Sequence, residues 1–239
     1  LQQAGALAYL GSALGVVFAG DLLTLITFWE LMAVSSMLLI ISGGRPNSRR
    51  AAMRYLFVHV VGGSLLLAGI LWHLGETGGT FELAQFDEST AGWLMFVGVA
   101  VNAAVVPLHA WLPDAYPESS ATGMVFLGAF TTKTAVFVMM TAFAGWEILL
   151  WLGPLMAIYA GVYSLLQNDI RRILAHLLQH AHRGGAHGND SSAFPLGSIQ
   201  NPGCFGAQLI VFRVYLVGRR VFAVHRPEGV QAHVQRHEG

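Results

Sequence analysis

Long apolar runs alternate with short polar segments along the first three quarters of the chain. Each run holds roughly 17–25 residues with at most one charge, and a helix of that length crosses the hydrocarbon core of a bilayer. The pattern therefore predicts an all-α polytopic bundle of about six membrane-spanning helices. They are expected at Gln3–Gly20, Leu22–Ser42, Met53–Leu74, Gly92–His109, Ser120–Ala144 and Ile148–Gln167.

The charged residues between these spans sort by sign. Strict alternation of six spans places six arginines on one side of the membrane and the acids between the third and fourth spans on the other. Because positive residues collect on the cytoplasmic side, the arginine-bearing loops and the N-terminal end are predicted to lie there. The arginines are Arg45, Arg49, Arg50, Arg54, Arg171 and Arg172, and the acids are Glu76, Glu82, Asp87 and Glu88.

Composition agrees with a membrane protein. Apolar residues make up 54% of the chain and charged residues 11%, against about 25% charged in soluble domains. The formal net charge is zero, so nothing indicates nucleic-acid binding, and no motif indicates a cofactor or a bound metal. The single Cys204 excludes an internal disulfide. Because the chain starts at Leu1 and its first helix lacks the features of a signal peptide, we interpret it as a fragment.

Two ionisable residues lie inside the apolar runs. Lys133 is the only charge in the stretch 122–144, and Glu30 is the only charge in 22–42. A lysine near the middle of a membrane helix costs roughly 2.5–3.5 kcal/mol on insertion scales, so such residues are kept for function. An acid and a base in different helices indicate a path for protons or ions, although each could instead be a structural residue satisfied by neighbouring helices.

The fourth span ends in a segment with three prolines, at residues 107–118. Each proline removes a backbone donor and clashes with the preceding turn, so the helix is predicted to break here. On the prolines alone an ordinary loop with an interfacial tryptophan is favoured. Beside a buried lysine, the segment becomes a candidate ion site, because non-helical backbone at membrane depth must be buried in protein or line a polar cavity. Its marked residues are Pro107, Trp111, Pro113 and Asp114.

Four motifs over residues 1–175 resemble those of the antiporter-like membrane subunits shared by Mrp-type sodium/proton antiporters and respiratory complex I. The resemblance is closest to the D subunit of the Mrp antiporters, followed by the M subunit type of complex I. The motifs are FWELM at 28–32, PLHAWLPDA at 107–115, TKTA at 132–135 and NDIRRILA at 168–175.

The resemblance implies a transporter subunit without a catalytic centre of its own, in the bacterial inner membrane. It would move protons through a relay of Glu30 and Lys133 in exchange for a monovalent cation, with sodium the expected one. Its partners would be lipid and the other membrane subunits of a multisubunit complex. Two alternatives stay open: a proton-pumping membrane subunit of a NADH:quinone oxidoreductase or membrane-bound hydrogenase, and a structural scaffold without transport activity.

One position departs from the family pattern. The family usually has a second lysine five residues before the proline of the broken helix, where it pairs with the glutamate that matches Glu30, and this chain has Asn102 there. Asparagine can hydrogen-bond or coordinate a cation but cannot carry a proton. His109 is a candidate substitute in the relay because histidine titrates near neutral pH. His59, in the third span, could face water or another helix.

The pattern changes near residue 176. We therefore divide the chain into an antiporter-like transmembrane domain at 1–175 and a polar, histidine- and glycine-rich tail at 176–239, which contains seven of the ten histidines. The abrupt change favours a reading-frame error or a truncated gene, and the tail is expected to be poorly ordered. A metal site at His176, His180 and His182 is a weaker interpretation, because no acidic or cysteine ligand is spaced to complete it.

Overall fold

The computed structural model describes residues 2–169, 171–173 and 175, and no strand is present in this part of the chain. The tail from His176 onwards, with its histidines, lies outside the described residues. The predicted all-α polytopic bundle is confirmed. Its helices are α1 (Gln2–Val17), α2 (Leu22–Ile41), α3 (Ser48–Thr77), α4 (Thr90–Asn102), α5 (Trp111–Ala115), α6 (Ala121–Ala142) and α7 (Glu147–Leu166), and a 3-10 turn at Tyr116–Glu118 follows α5.

Six of these helices correspond to the six predicted spans, with different lengths. By length and composition α2, α3, α6 and α7 can cross a membrane, and α4 is a shorter apolar helix. The helix α3 has 30 residues and begins and ends outside the predicted Met53–Leu74. The predicted fourth span, Gly92–His109, was too long: α4 ends at Asn102 after 13 residues, and the chain then leaves the helical conformation.

Local sequence signals explain where three of the helices begin. A side-chain oxygen of the preceding residue accepts a backbone N–H of the first turn, which satisfies one of the donors that a helix start leaves without a partner. Asp21 accepts from Thr24 N at 2.7 Å. Ser89 and Ser120 do the same for Gly92 and Gly123, at 3.1 and 3.0 Å. These caps account for the first residues of α2, α4 and α6.

The loops that carry acidic residues meet at one end of the bundle. Asp21 forms an antiparallel bridge with Glu82, so the loop before α2 pairs with the loop before α4. Phe86 N donates to Ala142 O at 2.8 Å, and Trp146 Nε1 donates to Phe86 O at 2.9 Å. The loop before α7 therefore joins the same end.

The loops that carry arginines meet at the opposite end. Arg45 and Arg171 both donate to Pro117 O, at 2.8 and 3.2 Å. The loop before α3, the segment after α5 and the segment after α7 thus lie together. This grouping is the one that strict alternation of the spans predicts. Which end faces the cytoplasm stays a prediction.

Gly98 marks a close contact between α3 and α4. A Cβ placed on Gly98 would lie 2.6 Å from Leu66 N and 2.7 Å from Gly62 O, so only glycine fits. Small residues of this kind let two membrane helices approach backbone to backbone. The side chains that follow on α4 are therefore held closely against α3.

Candidate ion-translocation site

Glu30 lies on α2 with its carboxylate against α3. A Cβ placed on Gly63 would overlap Glu30 Oε1, so the carboxylate occupies the space that the missing side chain leaves. The Glu30 side chain is half-buried. Because glycine is the one residue that leaves this space open, the position of the carboxylate depends on Gly63 as much as on α2.

Asn102 is the last residue of α4 and is completely buried. Its amide nitrogen and its amide oxygen both lack a hydrogen-bond partner among the described residues. The neighbouring Val101 packs on α3, with its Cβ 3.0 Å from the place of a Cβ on Gly62. Asn102 therefore ends α4 at the same short stretch of α3 that receives Glu30.

The segment between α4 and α5 is a break in the helix. Its first residues, 103–105, are buried, whereas Pro107, Leu108 and Ala110 are exposed. Ala104 has φ 55°, a left-handed conformation that is uncommon for a residue with a Cβ. Trp111 Nε1 donates to Val101 O at 2.9 Å and so binds a carbonyl near the end of α4. Pro113 stands in the first turn of α5, where backbone donors have no helical partner in any case. Pro107 follows a cis peptide bond.

Trp111 corrects one of the two interpretations of this segment. On the prolines alone the sequence favoured an ordinary loop with an interfacial tryptophan, but the Trp111 side chain is 5% exposed and bound to α4. Asp114 lies further along, at the arginine-bearing end. It forms a two-pronged ion pair with Arg54 of α3, in which both N···O distances are 2.8 Å. The broken helix is thus fixed to α4 through Trp111 and to α3 through Asp114.

Lys133 lies on α6 among buried threonines. Thr131 and Thr132 have no exposed surface, and Thr134 is also buried. The Lys133 Nζ lies 3.5 Å from Thr132 Oγ1. Lys133 itself is half-buried, and α6 packs against α1, α2 and α4.

Glu30 and Lys133 lie at similar depth in the bundle. At 1.5 Å per residue, Glu30 is about 12 Å along α2 from the acidic end. Lys133 is about 14 Å from the same end of α6, which runs in the opposite direction. Both positions are near the middle of a hydrocarbon core of ~30 Å. The structure therefore places an acid and a base at about the same level of the bundle.

Buried hydroxyls of α1, α2, α3 and the 3-10 turn bond to α6 or to one another. Tyr9 of α1 hydrogen-bonds to Thr131, and Tyr116 OH donates to Leu127 O at 3.0 Å. Tyr55 of α3 hydrogen-bonds to Ser36 of α2 at 2.8 Å. These residues could not be marked from the sequence, because single tyrosines and threonines in apolar runs carry no motif.

The two histidines near the break lie in different surroundings. His109 is buried, and its ring centroid lies 4.4 Å from that of Tyr159 on α7. His59 is buried on α3 with its ring 4.5 Å from Trp111. The role of His109 in a relay stays a prediction. The ring of His59 packs against another helix, which is one of the two surroundings that the sequence left open.

Known proteins with similar sequences are subunits of an oxidoreductase and of an antiporter. Residues 19–176 match a family model described as NADH:quinone oxidoreductase/Mrp antiporter, transmembrane. The chain is 30% identical over 197 residues to the M subunit of NADH-quinone oxidoreductase of Pseudomonas aeruginosa, covering 70% of this chain and 38% of that protein. It is 26% identical over 183 residues to the D subunit of the Na(+)/H(+) antiporter of Bacillus subtilis, covering 68% of this chain and 37% of that protein. The chain thus spans less than two fifths of the length of these two relatives.

Solved structures show the same fold at 23% sequence identity. An archaeal membrane-bound sulfane sulfur reductase has a TM-score of 0.74 and is matched over 89% of this chain and 48% of its own. The Mrp complex of Dietzia sp. has a TM-score of 0.69, and the match covers 84% of this chain and 41% of that one. Respiratory complex I of Thermus thermophilus has a TM-score of 0.72, and the match covers 87% of this chain and 50% of that one. All three are multisubunit or respiratory membrane assemblies, and the chain belongs to the NADH:quinone oxidoreductase/Mrp antiporter transmembrane family.

Proposed function

We propose that this chain is part of an ion-translocating subunit of a monovalent cation/proton antiporter, with sodium as the expected cation. Protons move through a relay in which Glu30 and Lys133 change charge. The observation that carries the proposal is the common depth of these two residues, each near the middle of a membrane helix. Two such residues are costly for insertion, and ionisable groups at this depth mark ion paths.

The chemistry of the two side chains suits the exchange of protons. Lysine changes its protonation state readily when it is desolvated, and a neighbouring charge of opposite sign favours its charged form. Movement of a proton onto Glu30 therefore changes the affinity of Lys133 for its own proton. The break before α5 exposes polar backbone and can gate access, since its backbone is not fixed by a helical ladder.

The test uses the full-length protein within its assembled complex in membrane vesicles. Lys133→Ala and Glu30→Gln should each lower cation-dependent proton movement by about 100-fold or more, in the range expected for loss of a proton-transfer group. Lys133→Arg should also fail, because guanidinium does not release its proton. Thr141→Ala on α6 is the matched control, because this hydroxyl bonds to its own helix at Phe137 O, 3.0 Å away.

Equal amounts of inserted protein must be shown for every variant by immunoblot. Wild-type transport in Lys133→Ala would remove the residue from the mechanism and leave a structural scaffold as the better account. Bacterial inner membrane is the location that we propose for the complex, and transport in vesicles from that membrane is part of the same test.

A second candidate is a proton-pumping membrane subunit that is powered by redox chemistry in other subunits. The observation in its favour is the higher identity to the M subunit of NADH-quinone oxidoreductase than to the D subunit of the antiporter, 30% against 26%. The same vesicles distinguish the two. Proton movement that follows an imposed sodium gradient without any electron donor supports the antiporter, and movement that requires NADH supports the redox-driven pump.

A further inference from the structure

His59 is a buried titratable side chain that the Glu30–Lys133 relay does not use. It is 1% exposed, and its ring stacks on Tyr55 at 3.9 Å between centroids. His59 Nδ1 lies 2.9 Å from Tyr55 O. A carbonyl oxygen only accepts hydrogen bonds, so Nδ1 carries a hydrogen, and in the neutral ring Nε2 keeps the lone pair. The protein thus fixes the tautomer of His59.

The lone pair at Nε2 has no donor in the described part of the chain. Asn102 has the same property at both amide atoms. Buried polar atoms nearly always bind protein or ordered water, and a buried water typically makes about three hydrogen bonds to such groups. Open polar atoms on both α3 and α4 are therefore the signature of a small hydrated site.

The contacts between the helices bring His59, Asn102 and Glu30 together. His59 and Gly63 are four residues apart on α3, so they share a face, about 6 Å apart along the axis. Glu30 occupies the space at Gly63. On α4, Gly98 faces Leu66 and Val101 faces Gly62.

The order of these contacts shows that α3 and α4 run antiparallel. The next residue of α4 is Asn102, which therefore lies at the level between Gly62 and His59. Trp111 confirms this level independently, because its ring lies against His59 while its Nε1 binds Val101 O.

We propose that His59 carries a proton in the translocation relay, receiving it from Glu30 through water bound at Asn102. The proposal rests on the function proposed above. The carboxylic acid of Glu30 gives its proton to the water, which gives one of its own to His59 Nε2. The products are a carboxylate and an imidazolium whose Nδ1–H still donates to Tyr55 O. Asn102 orients the water through its amide and takes no charge.

Among the described residues, few other ionisable groups lie near His59. On α3 itself the nearest is Tyr55, and on α2 it is Glu30. The helix α4, residues 90–102, contains no ionisable side chain. Asp114 of α5 is paired with Arg54, and α6 contributes Lys133. Glu30 is therefore the acid that best accounts for a change of charge on His59.

The test is the pH dependence of transport by the full-length protein in its complex. His59→Gln keeps a polar side chain but cannot accept a proton. It should lower proton movement roughly tenfold or more and remove one ionisation from the pH profile. The matched control is His73→Gln on the same helix, a half-buried residue whose ring meets Phe86 at 5.1 Å near the acidic end. It should keep both the wild-type rate and the wild-type profile.

A second measurement applies even if His59→Gln does not insert. Infrared titration of wild-type protein with ring-¹⁵N-histidine identifies imidazole bands by their isotope shift. One histidine should change protonation together with the band of a protonated carboxylic acid, and Glu30→Gln should remove the acid band and shift that histidine titration. Histidine bands that are identical in wild-type and Glu30→Gln protein would overturn the proposal.

Failure of this proposal differs from failure of the proposed function. A His59→Gln variant with the wild-type rate and pH profile overturns the role of His59 while Glu30→Gln and Lys133→Ala remain inactive. If all three variants transport like the wild type, the proposed function itself is wrong.

Discussion

Buried hydroxyls near α6 have hydrogen-bond partners within the protein, whereas several buried polar atoms near α3 have none among the described residues. Near α6, the hydroxyl of Tyr9 bonds to Thr131, and that of Tyr116 donates to Leu127 O. Near α3, His59 Nε2 and both amide atoms of Asn102 have no partner among the described residues. A paired hydroxyl contributes about 1 kcal/mol to stability, whereas an unsatisfied buried group costs about 1–3 kcal/mol.

This difference indicates that buried polar groups serve the fold near α6 and a functional site near α3. The hydroxyls near α6 join α1, the turn after α5 and α6, and they serve the fold. The α3 site gains nothing in stability from its open atoms, so its polar residues are better explained by bound water and by function. Local departures from well-satisfied packing are expected where a protein keeps a functional site.

The largest predicted effect tests the packing on the α3 side. Gly98→Ala should lower the free energy of unfolding by roughly 1–3 kcal/mol, because the new Cβ meets backbone of α3 that cannot move aside. Gly75→Ala on α3 is the control, since nothing lies within 4 Å of its Cβ position. Thermal unfolding in detergent measures both variants. Equal stability of the two variants would show that α3 can move away from a side chain at position 98.

The next effect tests the α6 side. Tyr9→Phe removes the hydroxyl that bonds to Thr131, and it should cost about 1 kcal/mol without changing the pH profile of transport. Thr131→Val should cost a similar amount, and the double variant should cost less than the sum, because the two residues share one hydrogen bond. Additive losses would mean that the hydrogen bond between Tyr9 and Thr131 contributes little to stability.

A smaller effect is expected at the acidic end, outside both regions. Hydrogen bonds from Thr24, the larger one from its hydroxyl, lower the pKa of Asp21 below its ordinary value. The charged form therefore stabilises the fold above the unfolded pKa of about 3.9, and this contribution is lost as pH falls through the lower folded pKa.

Asp21→Asn removes that contribution. Its melting temperature should lie slightly below that of the wild type at pH 7, and the difference should shrink towards pH 3. Glu88→Gln, an exposed acid of the same end, is the control. A difference between Asp21→Asn and wild type that stays constant with pH would contradict the cap.

The smallest effect, on the amount of inserted protein, is predicted for Asn102→Lys, although this variant adds a charge to a buried position. Asn102→Lys places an ammonium at the end of α4, where the carboxylate of Glu30 and the negative end of the helix dipole favour it. A paired charge costs less in the membrane than a lone one, so immunoblots of membranes should show near wild-type amounts. If Asn102→Lys fails to insert while Glu30→Gln inserts like the wild type, the side chains at positions 30 and 102 do not face each other.

Much of the fold follows from the sequence because membrane-spanning helices depend on local properties, such as the length of an apolar run. Apolar length marks six helices, and Asp21, Ser89 and Ser120 mark where three of them begin. The prolines at 107 and 113 mark the break, because a missing backbone donor acts on the same few residues wherever the chain folds. Lys133 and Glu30 stand out because a charge in an apolar run is visible without any neighbour. The exact end of α4, at Asn102, does not follow from such a local signal. Near it, Val101 O accepts a hydrogen bond from Trp111, ten residues further along the chain.

The sequence by itself determined the helices, their order and the two ionisable residues near the middle of the membrane. The tertiary structure alone decided which groups share a site. Gly63 admits the carboxylate of Glu30, Gly98 draws α4 against α3, and His59 and Asn102 meet at one level as a result. None of these pairings can be predicted from a local pattern, because the close approach of two helices depends on the shapes of residues that lie far apart in the sequence.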